Sequence, residues 1–357
     1  MIKIFKAHPM RFTPFWEKEP IDFLKARGIE IIDDPAECDV IVSITFRTLI
    51  KHILKYGTKK KYLIWTVEPR DNTFFKPKIK GLLGIPDIHV MNIYTGDVWL
   101  NNYYENNYGT GAANCFLEPL SESNFSAFKN KKIAAIMIYR NDKRKWSLKR
   151  SNKELDLCYL RTKIALEGHK LNKVDIYGRD WPEGISLEVS RGGKWTIPKE
   201  PYTQKMMASP SLPQTYKDAG VLPEWSDRKG DILKNYHFNL SFENTKADYY
   251  CTEKIWDSIK YGCLPIYYGE QNKIYEDFPQ DSFLDYCKFK KAKALFDYID
   301  RMEVEEFRHR MNLCIQVFNQ ICEKRQYYKP YDGTILHEER LLKIVQKIKT
   351  IMNHPLE

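Results

Sequence analysis

Charged and polar residues flank a short predicted helix in the second half of the chain. Glu243 and Asn244 close an apolar segment, and Thr252, Glu253 and Lys254 follow after a polar turn. Thr is a favourable N-cap, so we expect its hydroxyl to accept hydrogen bonds from amides of the first helical turn. The N–H groups and partial positive charge of a helix N-terminus suit a phosphate. A cation there is mildly unfavourable for the helix, so Lys254 is predicted to serve a bound anion; ordinary capping with a solvated lysine is the alternative.

Two further residues have side chains suited to chemistry on a phosphate ester. Arg161 lies on a predicted helix, and a guanidinium is well shaped for bidentate phosphate contact. In the alternative, its stem covers apolar surface while its head stays solvated. Glu68 follows an apolar strand, where a carboxylate can accept the proton of an attacking hydroxyl, or simply pair with Arg70. Asp87 and Asp71 are the reserve candidates for this base.

The elements that must position these residues alternate between strands and helices, which argues for parallel sheets with helices on both faces. Open α/β sheets bind ligands beyond the carboxyl ends of their strands. Chemistry is therefore expected after residues 66, 177 and 243. The predicted strands are 2–6, 29–32, 40–43, 62–66, 133–139, 174–177, 237–243, 264–268 and 283–286. The predicted helices are 21–27 (closed by Gly28), 48–56 (closed by Gly57), 153–167 (closed by Gly168), 252–261, 303–322 and 338–352.

The length of 357 residues suffices for two domains. A stretch rich in Asn, Gly and Tyr without a clear period, 97–130, predicts a boundary between domains 1–130 and 131–335. An excursion over 182–228, rich in Pro and Gly, interrupts the second domain. For the C-terminal helix, 336–357, three arrangements stay open: crossing back to the first domain, packing on the body, or lying on a membrane surface.

The net charge of +10 leaves three partner classes: nucleic acid, an anionic membrane and an anionic small molecule. The absence of zinc-finger, recognition-helix and RNA-binding aromatic patterns argues against nucleic acid. The eight Cys include no Cys-x-x-Cys pair, which argues against structural zinc and fits a reducing compartment. The chain starts with a strand pattern, and no apolar run approaches the roughly 20 residues of a membrane helix. We expect a cytoplasmic protein, peripheral to a membrane in one alternative, or the soluble catalytic part of a longer anchored protein.

A longer pattern surrounds the charged helix. It comprises Phe238–Glu243, Asn244, Tyr250, Thr252-Glu253-Lys254 and Gly262-x-x-Pro265-Ile266-Tyr267-x-Gly269. This pattern resembles the donor-binding signature of the α-1,3-fucosyltransferases, glycosyltransferase family 10. Similar family segments precede it, and the resemblance covers roughly residues 133–180 and 229–290. Those segments are Arg161 followed by Leu166 and Val174–Gly178, Lys229–Leu233 leading into Tyr236, and a short match at Trp65–Glu68.

The resemblance implies an α/β protein of GT-B type, with two Rossmann-like parallel-sheet domains facing a cleft. The first domain would bind the acceptor and the second GDP-fucose. The implied reaction inverts the anomeric carbon, with Glu68 as the general base and Glu253 beside the sugar and ribose of the donor. Pro69, where family members often have Asn, and the excursion at 182–228 depart from the family pattern.

The resemblance also implies the residues that hold the donor. Arg161 and Lys254 would neutralise the diphosphate, and Asn244 and Tyr250 would line the nucleotide pocket. The full donor-binding set is Arg161, Asn244, Tyr250, Lys254, Glu243 and Thr252.

Sugar transfer from a nucleoside diphosphate builds negative charge on the leaving phosphate, which fixed cations stabilise. The sequence contains no Asp-x-Asp, the motif with which many glycosyltransferases hold a metal. We therefore expect no essential metal and no cofactor besides the donor. The resemblance implies an oligosaccharide acceptor modified at O3 of GlcNAc or glucose. Two alternatives remain: a GT-B transferase using another nucleotide-sugar, and a catalytically silent nucleotide- or sugar-binding protein.

Overall fold

The computed structural model describes residues 1–8, 10, 13–16, 18–66, 77–91, 116–150, 152–187, 225–248, 250–270, 272–326 and 335–353. Glu68, Asp71 and residues 188–224 of the predicted excursion lie outside these ranges. The chain divides into two compact units: Met1–Glu105 with Ala247–Tyr250 and Lys324–Glu357, and Asn106–Lys246 with Cys251–Glu323. The assignment of acceptor and donor to residues 1–130 and 131–335 stays a prediction.

Strands and helices alternate along the described chain. Within it, no helix combines the length and apolar character needed to cross a bilayer. The strands are β1 (Ile2–Lys6), β2 (Ile29–Ile32), β3 (Val40–Ser43), β4 (Lys61–Trp65), β5 (Lys78–Ile79), β6 (Ile88–Met91), β7 (Ile133–Ile136), β8 (Lys149–Arg150), β9 (Lys153–Glu154), β10 (Val174–Tyr177), β11 (Phe238–Leu240), β12 (Leu264–Tyr267) and β13 (Leu284–Asp285). The α-helices are α1 (Lys18–Ala26), α2 (Phe46–Tyr56), α3 (Cys158–Lys170), α4 (Trp225–Leu233), α5 (Glu253–Lys260), α6 (Ala292–Arg301), α7 (Val304–Gln326) and α8 (Ile335–Ile351).

The first unit is built on a sheet of order β2-β1-β3-β4-β6-β5, parallel except for the edge strand β5. Apolar side chains cover both faces, as expected when helices pack on each side. On one face, α1 and α8 contribute Leu24, Ile344 and Ile348 to a buried cluster with β1 and β3. On the other, Leu49 of α2 packs with Val90 of β6.

The second unit has a fully parallel sheet of order β10-β7-β11-β12-β13. Its register pairs Leu240 at the end of β11 with Ile266 of β12. The central position of β11 places its carboxyl end in the middle of the sheet edge where α/β proteins bind ligands. The predicted α/β class, with a largely or fully parallel sheet in each of two units, is confirmed.

The helix predicted to start at residue 153 begins instead at Cys158. The Glu154 carboxylate accepts hydrogen bonds from the amides of Leu148 (2.7 Å) and Asp156 (2.9 Å), which folds residues 149–154 into the β8–β9 hairpin. Asp156 Oδ1 then accepts from the amide of Cys158 at 2.9 Å and caps α3. Local side-chain bonds thus outweigh helix propensity over these residues.

The prediction that Gly168 closes this helix is also wrong, because α3 continues to Lys170. A Cβ on Gly168 would lie 2.1 Å from Val174 Cγ2 and 2.8 Å from Phe296 Cζ. The glycine is therefore required for close packing. The chain reverses only at Asn172, whose φ is 55°.

Two asparagines of α7 hold the segment 117–120. Asn319 Oδ1 accepts from the amide of Leu117 and its Nδ2 donates to the Leu117 carbonyl, both at 2.9 Å. Asn312 makes the same pair with Leu120, at 2.7 and 2.9 Å. The chain entering the second unit is thus fixed by four hydrogen bonds from one helix.

Candidate functional site

Two helices of the second unit start beside the end of β11. The carbonyl of Asn244 accepts a hydrogen bond at 2.9 Å from the amide of Leu157, the residue before α3. Thr252, the residue before α5, donates its amide at 2.7 Å to Glu243 Oε1. Both helix N-termini, each with a partial positive charge, therefore lie next to residues 243 and 244.

The Glu243 carboxylate organises this region, and its residue is only 2% exposed. Oε1 accepts from the Thr252 amide at 2.7 Å and the Tyr267 hydroxyl at 3.3 Å. Oε2 accepts from the Thr252 hydroxyl at 2.7 Å and Lys254 Nζ at 3.0 Å. A carboxylate offers about four acceptor positions, and these four protein donors fill them. The predicted donor-binding role of Glu243 stays a prediction, and this geometry favours an indirect one.

Thr252 occupies the predicted N-cap of α5, but its side chain makes no capping hydrogen bond. The expectation that its hydroxyl accepts from first-turn amides is wrong. The hydroxyl donates to Glu243 and accepts from Lys254 Nζ at 2.5 Å. Because a buried carboxylate and an ammonium are stronger partners than a backbone amide, they draw the hydroxyl away from the helix.

Lys254 carries a protonated, largely buried ammonium group. Its side chain is 21% exposed, and Nζ lies 3.0 Å from Glu243 Oε2 and 3.5 Å from Glu253 Oε1. Burial lowers the pKa of Lys254, but the two carboxylates outweigh burial and raise the pKa above its ordinary value. The alternative of a solvated lysine is therefore excluded.

Arg161 supplies the second positive charge. Its residue is 6% exposed, and Nη1 donates to the carbonyl of Phe242 at 3.2 Å. The two cations thus bond to consecutive residues, Phe242 and Glu243, and the charge of Arg161 acts to lower the pKa of Lys254. An anion binding beside both would relieve this repulsion. A guanidinium head in free solvent, the alternative for Arg161, is not what the structure shows.

Glu253 and a lysine that the sequence analysis did not select complete the charge cluster. Lys229 of α4 is 8% exposed, with Nζ 3.8 Å from Glu253 Oε1 and bonded to Asp257. Partial desolvation would raise the pKa of Glu253, but the ammonium groups of Lys254 and Lys229 lower the pKa to about 2. Since 24 positions separate Lys229 from Glu253, no local spacing predicts the contact. The only indication in the sequence that Lys229 belongs to the site was the similarity of Lys229–Leu233 to a family segment.

Other predicted residues are not brought to this cluster by the described structure. Tyr250 is counted with the first unit, where it is 1% exposed. Asp87, a reserve base, is paired with Lys78 at 2.8 Å and precedes β6, at the amino edge of its sheet. That location argues against it as a base. Among the described residues, no group of three or more His, Cys, Asp or Glu could hold a metal ion.

A parallel sheet with two helix N-termini and buried cations beyond its central strand is typical of the places where α/β proteins bind phosphate groups. Residues 203–313 match the family model "Glycosyltransferase family 10 (fucosyltransferase) C-term". This match contains Glu243, Asn244, Thr252, Glu253 and Lys254. The resemblance to family 10 predicted from the sequence is thereby confirmed.

Individual relatives match over shorter segments. The Alpha-(1,3)-fucosyltransferase FucT of Helicobacter pylori is 33% identical over 28% of this chain and 21% of its own length. The human GDP-fucose protein O-fucosyltransferase 3 is 33% identical over 27% of this chain and 19% of its own length. The match therefore spans about a fifth of the length of these curated relatives. A solved structure of an α1,3-fucosyltransferase with GDP-fucose aligns over 100% of this chain and 91% of its own, with 16% identity and a TM-score of 0.44.

Proposed function

We propose that this protein transfers L-fucose from GDP-fucose to a hydroxyl of an oligosaccharide, with inversion at the anomeric carbon. The observation that carries the proposal is the fixed pair of cations, Arg161 and Lys254, on consecutive residues beyond β11. Lys254 lies inside the segment that matches the fucosyltransferase family. A diphosphate needs such positive charge, and the ends of α3 and α5 add more.

The proposed reaction forms a bond between the acceptor oxygen and C1 of fucose and breaks the bond between C1 and the β-phosphate oxygen. The electron pair of the broken bond leaves with GDP, so negative charge grows on the phosphate in the transition state. Arg161 and Lys254 stabilise that charge without moving, because Phe242 and Glu243 already hold them. The acceptor proton goes to a carboxylate, for which Glu68 remains the candidate from the sequence.

Glu253 has a side chain suited to contact with donor hydroxyls. It is half exposed, and its pKa of about 2 keeps it ionised, so it can accept hydrogen bonds throughout the neutral range. We propose this accepting role for Glu253, with Asn244 beside the nucleotide. The metal-independent reaction predicts that transfer persists in excess EDTA.

A protein hydroxyl is the second candidate acceptor. The matched relatives include one named for an α-(1,3) linkage and one named for protein O-fucosylation, and both names share fucose. We infer that the matched parts of this chain serve the fucose donor, because fucose is what the two names share. The acceptor must then be read by other parts of the chain.

The test measures binding of GDP and transfer from GDP-fucose by the same purified variants. Lys254→Gln should weaken GDP binding by about 10- to 100-fold, the value of a charge-assisted hydrogen bond. Lys260→Gln, in the last turn of the same helix α5, is the matched control and should bind GDP normally. Equal affinity of both variants would remove Lys254 from the phosphate site.

The alternatives are separated by the ligands offered. The rise in the protein's melting temperature with each of a panel of nucleotide-sugars distinguishes GDP-fucose from other donors. Stabilisation by a UDP-sugar alone would contradict the proposal. Glycans and a folded peptide domain are then offered with GDP-fucose, and product mass shows which accepts. Glu68→Gln should bind GDP and lose transfer. GDP binding without turnover on every acceptor would identify a silent binding protein.

A further inference from the structure

A tight turn in the first unit holds apolar side chains in water. Between β5 and β6, Leu82 is 75% exposed, Leu83 104% and Ile85 57%. Leu83 also has a φ of 50°, a left-handed conformation that costs a non-glycine residue roughly 1–2 kcal/mol. Single exposed apolar residues are ordinary, but three within the four residues 82–85, one of them strained, form a protruding apolar tip.

The tip is held by specific bonds. Asp87 pairs with Lys78 at 2.8 Å and accepts the amide of Gly81 at 2.9 Å. The amide of Ile85 donates to the carbonyl of Leu82 at 3.0 Å. A Cβ on Gly81 would lie 1.8 Å from the Ile85 carbonyl oxygen, so glycine is required for the close approach. The leucines are therefore presented outward by an ordered turn.

Helix α2 carries a second exposed apolar stripe. Phe46, Ile50 and Leu54, spaced by four residues, are 41%, 40% and 82% exposed. They lie beside the face that packs on the sheet through Leu49. The next stripe around the helix is basic, and all three of its residues are exposed: Arg47, Lys51 and Lys55. An apolar stripe next to a basic stripe is typical of helices that lie at a membrane interface.

Both features lie toward one edge of the sheet. Helix α2 leaves the carboxyl end of β3 and returns to the start of β4, so its last turn, with Leu54 and Lys55, lies at the amino edge. The register of Tyr62 with Ile88 places Lys61 beside Asp87, at the base of the apolar tip.

The two segments that carry these features are strongly basic. Residues 44–66 and 77–91 contain eight basic residues and one acidic residue, Asp87, which is already paired. Their net +7 is most of the chain's net +10. The basic residues are Arg47, Lys51, Lys55, Lys59, Lys60, Lys61, Lys78 and Lys80.

We propose that these two segments form a docking surface for an anionic membrane, with Leu82, Leu83 and Leu54 entering the interface and Lys51 and Lys55 facing lipid phosphates. Stable peripheral binding needs two weak signals together, and this surface combines exposed apolar area with concentrated positive charge. Charge complementarity selects an anionic bilayer over a neutral one. The proposal does not depend on the proposed fucose transfer, since the residues involved lie outside the second unit.

The test is sedimentation of the purified full chain with vesicles of phosphatidylcholine alone or mixed with phosphatidylglycerol. We expect binding to the mixed vesicles only, weakened by salt. Lys51→Gln/Lys55→Gln should weaken binding about 30-fold, because each lysine near an anionic surface contributes about 1 kcal/mol. Leu82→Ser/Leu83→Asn should weaken it at least tenfold; Asn tolerates the left-handed conformation at position 83.

Matched controls lie on α3 of the second unit and at Leu171, the residue that follows it. Lys163→Gln/Lys170→Gln removes two exposed lysines, and Leu171→Ser an exposed leucine; both should bind vesicles like the unaltered chain. Absence of binding to anionic vesicles, equal binding to both vesicle types, or equal loss in the controls would each overturn the proposal. So would self-association in lipid-free solution that disappears in the Leu82/Leu83 variant, because the occupant would then be a second copy. Far-UV circular dichroism and urea unfolding of every variant check that the fold is intact.

Discussion

Glu243→Gln is the substitution that tests the physical basis of the site most directly. The change keeps the size of the side chain and removes its charge. In the structure the carboxylate accepts from four donors and is 2% exposed. A glutamine has one oxygen and one NH2 group in place of the two carboxylate oxygens. At least one of the donors that faced the replaced oxygen therefore loses its acceptor. The ammonium of Lys254 then stays largely buried without its carboxylate partner.

The expected loss of unfolding free energy follows from these contacts. Removing one partner of a fully buried ion pair costs about 3–5 kcal/mol. Because Lys254 is 21% exposed, its long stem can turn its head toward water, and we expect roughly 2–4 kcal/mol. Urea unfolding of the full chain, followed by circular dichroism and intrinsic fluorescence, measures it. GDP affinity should fall as well, because Lys254 is no longer held in place.

Two comparisons make the result decisive. Glu276→Gln removes an exposed carboxylate 3.9 Å from Lys273 and should change stability by less than about 0.5 kcal/mol. Glu243→Gln/Lys254→Gln should be less destabilised than the two single losses added together, with a coupling of about 1–3 kcal/mol. If Glu243→Gln unfolds and binds GDP like the unaltered chain, the reasoning about this carboxylate is refuted.

Three further perturbations test other parts of the structure. Burial, with the charges of Lys347 and Lys78, lowers the pKa of His89 to about 4. The free energy of unfolding should therefore decrease as pH falls from about 6.5 to 4, by at most about 1.4 kcal/mol per pH unit for this histidine. In urea unfolding measured over this pH range, His89→Gln should show a smaller decrease. Asn319→Ala should cost about 1–3 kcal/mol in urea unfolding, because two backbone groups of Leu117 lose their partners; an unchanged midpoint would contradict this. Gly178→Ala should lower the melting temperature, because φ is 123° and a Cβ would lie 2.2 Å from the Met137 carbonyl oxygen.

The sequence predicted the strand–helix–strand segment that carries the site. Strand, helix and strand were expected at 237–243, 252–261 and 264–268, and β11, α5 and β12 occupy Phe238–Leu240, Glu253–Lys260 and Leu264–Tyr267. Short apolar runs, a threonine before the helix and Gly262 after it, with a φ of 82°, are local signals. Such signals suffice to locate the elements when residue propensity and periodicity agree.

The sequence could not predict the partners within the site. Glu243 contacts Thr252, Lys254 and Tyr267, which are 9, 11 and 24 positions away. The last contact depends on the parallel register of β11 with β12, which no local pattern specifies. The sequence predicts that the Thr252 hydroxyl caps the helix, because threonine commonly does so before a helix. In the structure the hydroxyl donates to the buried Glu243 carboxylate instead. Helix α6 was not predicted; its N-cap, Lys291, makes no side-chain capping bond.

The asparagine pair on α7 constrains the length of that helix more than its composition. Asn312 and Asn319 are seven residues apart, close to two full turns, so both amides face the same segment. Inserting one residue between them would rotate one amide about 100° around the helix axis and break its pair of hydrogen bonds to the segment 117–120. Substitutions elsewhere along this face leave the spacing intact, whereas a single insertion or deletion between the asparagines does not. Insertion scanning across 313–318 would therefore show a tolerance pattern that substitution scanning misses.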